Sequence, residues 1–183
     1  IMRDVDNFEN KLGKLYKSLD IPYKRGYLLY GPPGTGKTSV VKAVASCTKK
    51  DIYKVTFNEK NMDDDDYKKI LGKTSINSII LMDDIDPKLL REGGYIEKTK
   101  TIEVDGKKTK EQCRVSYGTL LDALDGINAN NGRIVFITTN HPDKMGKALM
   151  RPGRIDVKRK MDYAQNEEIK DYFQMFYKYF ALE

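Results

Sequence analysis

The chain has no tryptophan, one histidine and two cysteines in 183 residues, and no apolar run approaches the roughly 20 residues that a membrane-spanning helix requires. Cys47 and Cys113 lie far apart with no cysteine or histidine at ligand spacing, which excludes a zinc site and a disulfide framework and predicts a reducing compartment. His141 follows an asparagine at the end of an apolar stretch with no serine or cysteine nucleophile motif beside it, so it is assigned a surface or packing role rather than catalysis. Repeats are absent, and the acid run Asp63 to Asp66 is the one low-complexity tract. Four aspartates in front of a helical pattern are read as N-cap and first-turn residues favoured by the helix dipole. The net charge of +6 comes from 33 basic and 27 acidic residues interleaved along most of the sequence, without a basic block or an aromatic-studded stripe. Nucleic acid is therefore not an expected partner. With 39% hydrophobic and 33% charged residues, the composition predicts a soluble globular chain of one well-buried domain.

What is present is concentrated in a few short motifs. Gly31-Pro32-Pro33-Gly34-Thr35-Gly36-Lys37-Thr38 matches the phosphate-loop pattern G-x-x-x-x-G-K-[ST] and follows the apolar stretch Tyr27-Leu28-Leu29-Tyr30, which reads as a buried strand. Glycines let backbone N–H groups approach a polyphosphate closely, and the helix that follows turns its positive end toward it. Lys37 adds a full charge and Thr38 a hydroxyl for Mg2+. The residues assigned to the nucleotide are Gly31, Pro32, Pro33, Gly34, Thr35, Gly36, Lys37, Thr38 and Ser39.

Around this loop the hydrophobic period alternates between two and 3.6. An amphipathic helix is predicted from Val5 to Leu19, then strands at 26–30, 52–57, 78–82, 133–139 and near 156–161. Helices are predicted at 37–47, 64–71, around 117–124, near 144–150 and from about 166 to 180. Strands separated by helices mean a parallel sheet covered on both faces, an α/β three-layer sandwich. Residues 87–115 interrupt the rhythm with two polar β-prone runs joined by Asp105-Gly106, which reads as an inserted β-hairpin. Its lysines Lys98, Lys100, Lys107, Lys108 and Lys110 are balanced by Glu97, Glu103 and Glu111, and a solvated hairpin is preferred over a contact with a substrate or neighbouring subunit.

Three further signals complete a hydrolytic site. Ile79-Ile80-Leu81-Met82-Asp83-Asp84 is an apolar strand that ends in two acids at the sheet's C-terminal edge. Asp83 is assigned to the Mg2+ shell with Thr38, and Asp84 to orienting or deprotonating an attacking water. Many such enzymes use a glutamate there, and an aspartate reaches about 1.5 Å less. Ile134 to Thr139 delivers Asn140, the candidate sensor of water and γ-phosphate. Arg151-Pro152-Gly153-Arg154 presents two arginines around a rigid turn, as suits groups that stabilise transition-state charge.

In this order the motifs resemble the AAA+ ATPases, specifically the AAA subfamily whose second region of homology holds the Asn sensor and the Arg-Pro-Gly-Arg pair. The resemblance runs from about Asp4 to Asp162. Residues 23–30, the Asp-Asp-Ile-Asp at 83–86, Leu120-Leu121-Asp122-Ala123-Leu124-Asp125-Gly126 and Thr138-Thr139-Asn140-His141 look like the Bcs-type chaperones of the mitochondrial inner membrane. That family translocates the folded Rieske iron-sulfur protein during assembly of respiratory complex III. The resemblance implies a P-loop NTPase core at 1–162 with the start of a truncated helical lid at 163–183, and ATP and Mg2+ as substrate and cofactor. It implies catalytic roles for Lys37, Asp84, Asn140, Arg151 and Arg154, the two arginines acting on the adjacent protomer's nucleotide within a homo-oligomeric ring, hexamer or heptamer. A protein substrate would be remodelled or translocated, with this domain in the matrix and the membrane reached only through a region absent from this chain. The start at Ile1-Met2 agrees with a piece of a longer protein. The aromatic-apolar-Gly triplet of many AAA unfoldases is missing at 57–62, which fits a family that moves a folded protein.

Two other classes remain open from the residues. One is a nucleotide-gated assembly scaffold with little hydrolysis, motivated by aspartate at position 84 and the truncated lid. The other is a small-molecule kinase, which leaves Asn140 and the arginine pair unexplained. A GTPase would need an Asn-Lys-x-Asp motif that the later strands do not carry.

Overall fold

Apolar runs too short for helices and too continuous for a half-wet sheet form the centre of the molecule, a computed structural model that describes residues 1–57, 59, 62–75, 77–104, 107–125 and 132–180. In chain order the elements are α1 (Met2–Asn7), α2 (Gly13–Ser18), β1 (Lys24–Tyr30), α3 (Lys37–Thr48), β2 (Asp51–Val55), α4 (Asp64–Gly72) and β3 (Ser78–Met82). They continue with β4 (Tyr95–Val104), β5 (Lys107–Ser116), α5 (Tyr117–Asp125), β6 (Arg133–Thr139), β7 (Val157–Lys160) and α6 (Asn166–Phe180). Five strands make one sheet in the order β2-β3-β6-β1-β7, and every pairing in it is parallel.

The period of two sorts the strand residues onto two cores. Tyr27, Leu29, Ile79, Leu81, Ile134 and Phe136 face α3, where Val41, Val44 and Ala45 cover them, with Val5 and Phe8 beside them. Leu28, Ile80, Met82, Val135 and Ile137 face the opposite way, toward Tyr67 and Leu71 of α4 and Leu120, Ala123 and Leu124 of α5. Burial of each such side chain stabilises the fold by about 1.5–3 kcal/mol, so both faces hold the sheet. The buried pair Tyr27 and Phe136 stacks at 4.7 Å across β1 and β6. Asp4 fastens α1 to β1, accepting from Arg25 at 2.8 and 3.0 Å and from the Tyr27 hydroxyl at 2.7 Å.

Two predicted elements differ from what is observed. The single helix expected from Val5 to Leu19 is wound as a π-helix at Phe8–Leu12, between α1 and α2. A π turn holds more residues than an α turn, so the apolar stripe changes phase. Val5 and Phe8 are buried, whereas Leu15 and Leu19 are exposed. The helix expected near 144–150 is absent; a three-residue 3-10 turn, Pro142–Lys144, and a turn at 147–150 stand there instead. Met145 is extended, and Gly146 gives its N–H to Leu90 O at 2.8 Å, so the turn cannot propagate.

The interruption at 87–115 contains an antiparallel pair, β4 with β5, in register from Tyr95 opposite Ser116 to Val104 opposite Lys107. The predicted Asp105-Gly106 turn lies outside the described residues. Rather than standing free, the pair is latched to the acid run. Asp63 caps α4, accepting from Asp65 and Asp66 N–H, while Asp66 accepts from Asp63 N–H, a reciprocal capping box. Lys100 Nζ then bridges Asp63 at 2.9 Å and Asp66 at 2.5 Å, and Ser116 donates to Asp64 from its N–H and its hydroxyl. Lys98 donates to Glu59 O and to Tyr67 Oη, whose pKa burial pushes up to about 12.

Candidate functional site

The loop from Gly31 to Gly36 connects the C-terminal end of β1 to the N-terminus of α3. Gly34 and Gly36 take φ of 78° and 83°, the left-handed region that side chains resist, and Gly36 is the N-cap of α3. Residues 33–34 form a hydrogen-bonded turn, and among the described residues the N–H groups of Gly34, Gly36, Lys37 and Thr38 have no protein acceptor, so the loop and first helical turn present a concave set of free donors. Thr35 Oγ1 donates to Pro32 O at 2.9 Å, which ties the loop across itself. Lys37 Nζ donates to Gly31 O at 2.9 Å and Pro32 O at 2.7 Å, folded over the same concavity. Pro33 and Ser39 are exposed on its rim. Free donors at a helix N-terminus with an ammonium beside them fit a polyphosphate.

The acids lie next to this loop because β3 is one strand removed from β1, with β6 between. Thr38 Oγ1 donates to Asp83 Oδ1 at 3.0 Å, and Thr138 Oγ1, from β6, donates to the same oxygen at 2.7 Å. The Thr138 hydroxyl in turn accepts from Asp84 N–H at 2.8 Å, so one residue stitches both acids to the neighbouring strand. Lys54, at the penultimate position of β2, places Nζ 2.8 Å from Asp83 Oδ2. Burial raises the Asp83 carboxyl, but hydrogen bonds from Lys54, Thr138 and Thr38 outweigh it and hold the pKa below the usual carboxylate range. A hydroxyl and an ionised carboxylate are hard oxygen donors, a set that suits Mg2+ held jointly by protein and phosphate. Among the described residues no cluster of three or more His, Cys, Asp or Glu is placed to hold a metal ion.

Asp84 turns away from Asp83 with φ of 49°, a left-handed conformation that costs a non-glycine residue about 1–3 kcal/mol. Its exposed carboxylate accepts from Asn140 Nδ2 at 3.1 Å. Asn140 Oδ1 is buried without a partner among the described residues. Loop, acid pair and asparagine therefore converge at one edge of the sheet.

The arginine turn is at the other edge. Asp156 and Gly26 exchange hydrogen bonds, Asp156 N–H to Gly26 O and Gly26 N–H to Asp156 Oδ2, both 2.9 Å. A Cβ on Gly26 would lie 1.7 Å from Arg154 O, so only glycine lets the turn sit against β1. Gly26 precedes Gly31 by five residues, about 16 Å along an extended strand. Arg154 Nε and Nη2 bind both oxygens of Asp125, at the end of α5, at 2.5–3.1 Å, and Nη1 donates to Ala148 O. That hydrogen bonding keeps the Asp125 carboxyl below its usual range. Arg151 is exposed; its carbonyl accepts from the Arg154 and Ile155 N–H groups, while its guanidinium has no hydrogen bond or ion pair among the described residues. The two arginines, Lys24 and Asp125 line a surface groove of about 550 Å³ together with Tyr16 and Ile21.

Reading the residues in order singled out Lys37, Thr38, Asp83, Asp84 and Asn140, which the fold brings together, and Arg151 and Arg154, which it holds apart from them. It gave no role to Lys54, Thr138 or Asp125. Thr138 stood inside the motif with Asn140, and strand period put Lys54 on the face of Ile52, but pairing across strands was needed to bring either to Asp83.

Residues 27–163 match the ATPase family associated with various cellular activities, AAA. The chain is 37% identical over 177 residues to the human mitochondrial chaperone BCS1, covering 97% of this chain and 40% of that protein. The same identity and coverage of this chain hold for a probable mitochondrial chaperone bcs1 of Schizosaccharomyces pombe, of which 37% is spanned. An AAA-ATPase of Arabidopsis thaliana is 39% identical over 93% of this chain and 36% of its own length. The chain thus spans about two fifths of the curated relatives it matches. No helix among the described residues is long and apolar enough to cross a membrane. Phosphate loop, paired acids, asparagine and parallel sheet, together with these matches, establish that the chain belongs to the AAA family of ATPases, on a P-loop NTPase fold.

Proposed function

We propose that this chain is the ATP-hydrolysing module of a ring-forming AAA chaperone that remodels or translocates a protein, in mitochondria like the relatives whose names say so. The free N–H groups of the loop bind the phosphates, with Lys37 leaving the carbonyls of Gly31 and Pro32 to pair with phosphate oxygens. Thr38 and Asp83 hold Mg2+, which when bound neutralises phosphate charge. Asp84, held by Asn140, orients a water and accepts its proton as the oxygen attacks the γ-phosphorus, giving ADP and phosphate. Arg151 and Arg154 act on the nucleotide of the next protomer in a homo-oligomeric ring, hexamer or heptamer, Arg154 after exchanging Asp125 for phosphate.

The observation that carries this reading is the separation along β1. The loop and acids meet at one end, with Thr38 and Asp83 3.0 Å apart, while the arginine turn is pinned to Gly26 at the other. About 16 Å of strand exceeds the reach of an arginine side chain, which supports action in trans. The test is ATP turnover per chain across a wide concentration range, with light scattering reporting mass and Asp84→Asn alongside. Turnover that rises with assembly and collapses in Asp84→Asn is expected. Concentration-independent turnover overturns the trans role, and an assembled, nucleotide-bound ring without turnover favours a gated scaffold, to which the strained and short Asp84 already lends weight.

A further inference from the structure

Lys54 takes no part in the binding and hydrolysis steps proposed above, yet its ammonium is the one cation on Asp83 among the described residues. Oδ1 of Asp83 is occupied by the Thr38 and Thr138 hydroxyls, and Oδ2 by Lys54 at 2.8 Å. The side chain of Asp83 is 12% exposed and that of Lys54 54%, so a shielded carboxylate is neutralised by a lysine whose stem runs through solvent. The placement is built into the sheet. Lys54 pairs with Leu81, two residues before Asp83, and shares a face of β2 with Ile52, which packs on the core beneath α3, the helix that carries Thr38.

We infer that Lys54 is an internal counter-cation that neutralises Asp83 while no divalent ion is bound and must withdraw when one arrives, so that it sets how much Mg2+ the site requires. An ammonium and Mg2+ on one carboxylate repel each other, and a flexible four-carbon stem that is half in water can retract without disturbing the sheet. The Mg2+ affinity is then reduced by the fraction of molecules in which Lys54 is closed on Asp83. The inference rests on the magnesium-nucleotide reading of the site.

The experiment is a Mg2+ titration of the binding of a fluorescent, slowly hydrolysed ATP analogue to the 183-residue chain, for wild type, Lys54→Met, Lys54→Gln and Lys54→Arg. Removing the charge is expected to lower the Mg2+ midpoint roughly two- to fivefold, the scale of a partly exposed ion pair, while Lys54→Arg keeps it near wild type. In EDTA the Met and Gln variants are expected to bind the analogue more weakly than wild type, because Asp83 then faces the phosphates unneutralised; a merely structural lysine would not couple these two changes. A clear wild-type midpoint that neither neutral variant lowers overturns the inference alone. Wild-type binding that ignores magnesium overturns the underlying reading of the site, and the inference with it.

Discussion

The two ends of β1 differ in how much of their chemistry the chain completes by itself. At the Tyr30 end, loop, acids and asparagine are linked by an unbroken series of contacts, from Thr38 to Asp83, Asp83 to Thr138, Thr138 to Asp84 and Asp84 to Asn140. At the Gly26 end the backbone of the arginine turn is fixed just as firmly, but Arg154 is paired to Asp125 and Arg151 ends in solvent. One end of the strand is thus closed on itself, and the other leaves the Arg151 guanidinium without a partner among the described residues. A rigid turn that presents this charge outward is what the proposed action in trans requires.

This contrast can be broken most directly at the arginines. Arg151→Ala is expected to lower turnover of the assembled protein by ~10³ to 10⁵ with nucleotide binding unchanged, and Arg154→Ala by less, since Asp125 already holds it back. Equal losses measured by steady-state hydrolysis would end the distinction between the two. Next in size, Gly26→Ala drives a Cβ into Arg154 O and is expected to destabilise the fold by about 1–3 kcal/mol. Because the turn shifts and the phosphate loop does not, ATP binding by titration calorimetry should survive while turnover on assembly falls.

A finer change sharpens the same comparison. Tyr117 Oη accepts from Leu149 N–H at 3.2 Å beneath the arginine turn, a donor shared with Gly146 O. Tyr117→Phe is expected to cost about 0.5–1 kcal/mol in chemical denaturation, with the larger part of any activity loss in turnover rather than nucleotide affinity. The smallest effect is expected where neither end of β1 is touched. The hydrogen bond from Lys100, followed by that from the Asp66 N–H, lowers the Asp63 carboxyl to about 2, so this latch stabilises the hairpin above about pH 4 and is lost as pH falls toward about 2. Hydrogen exchange in Tyr95–Ser116 should rise over that window and Lys100→Met should weaken the dependence, leaving the part due to the Asp66 N–H; an unchanged acid response would detach the latch from Lys100.

How much could be read beforehand follows from the range of the forces involved. β3 and β6 were legible to the residue, since a strand buried on both faces shows as an unbroken apolar run. The phosphate loop was legible because its glycines serve local backbone geometry. The helix expected near 144–150 failed because Gly146 N–H is claimed by Leu90, 56 residues away in sequence. The phase change at Phe8–Leu12 escaped for a similar reason: Tyr16 and Tyr23 pack around Phe8, and no periodicity rule contains that cluster.

By itself the sequence determined an α/β nucleotide-binding chain with a phosphate loop, two acids ending a strand, an asparagine ending another and an arginine turn, because each is a local pattern of period, glycine and charge. Only the tertiary structure decided which of these meet. Strand order put β3 and β6 beside the loop and so brought Thr38, Asp83, Asp84 and Asn140 within hydrogen-bonding distance. The same parallel pairing placed Lys54 on Asp83, gave Arg154 to Asp125 and carried the arginine turn to the far end of β1. Such contacts join residues 29 to 130 positions apart, and they form only where burial of two cores has already set the register of the strands.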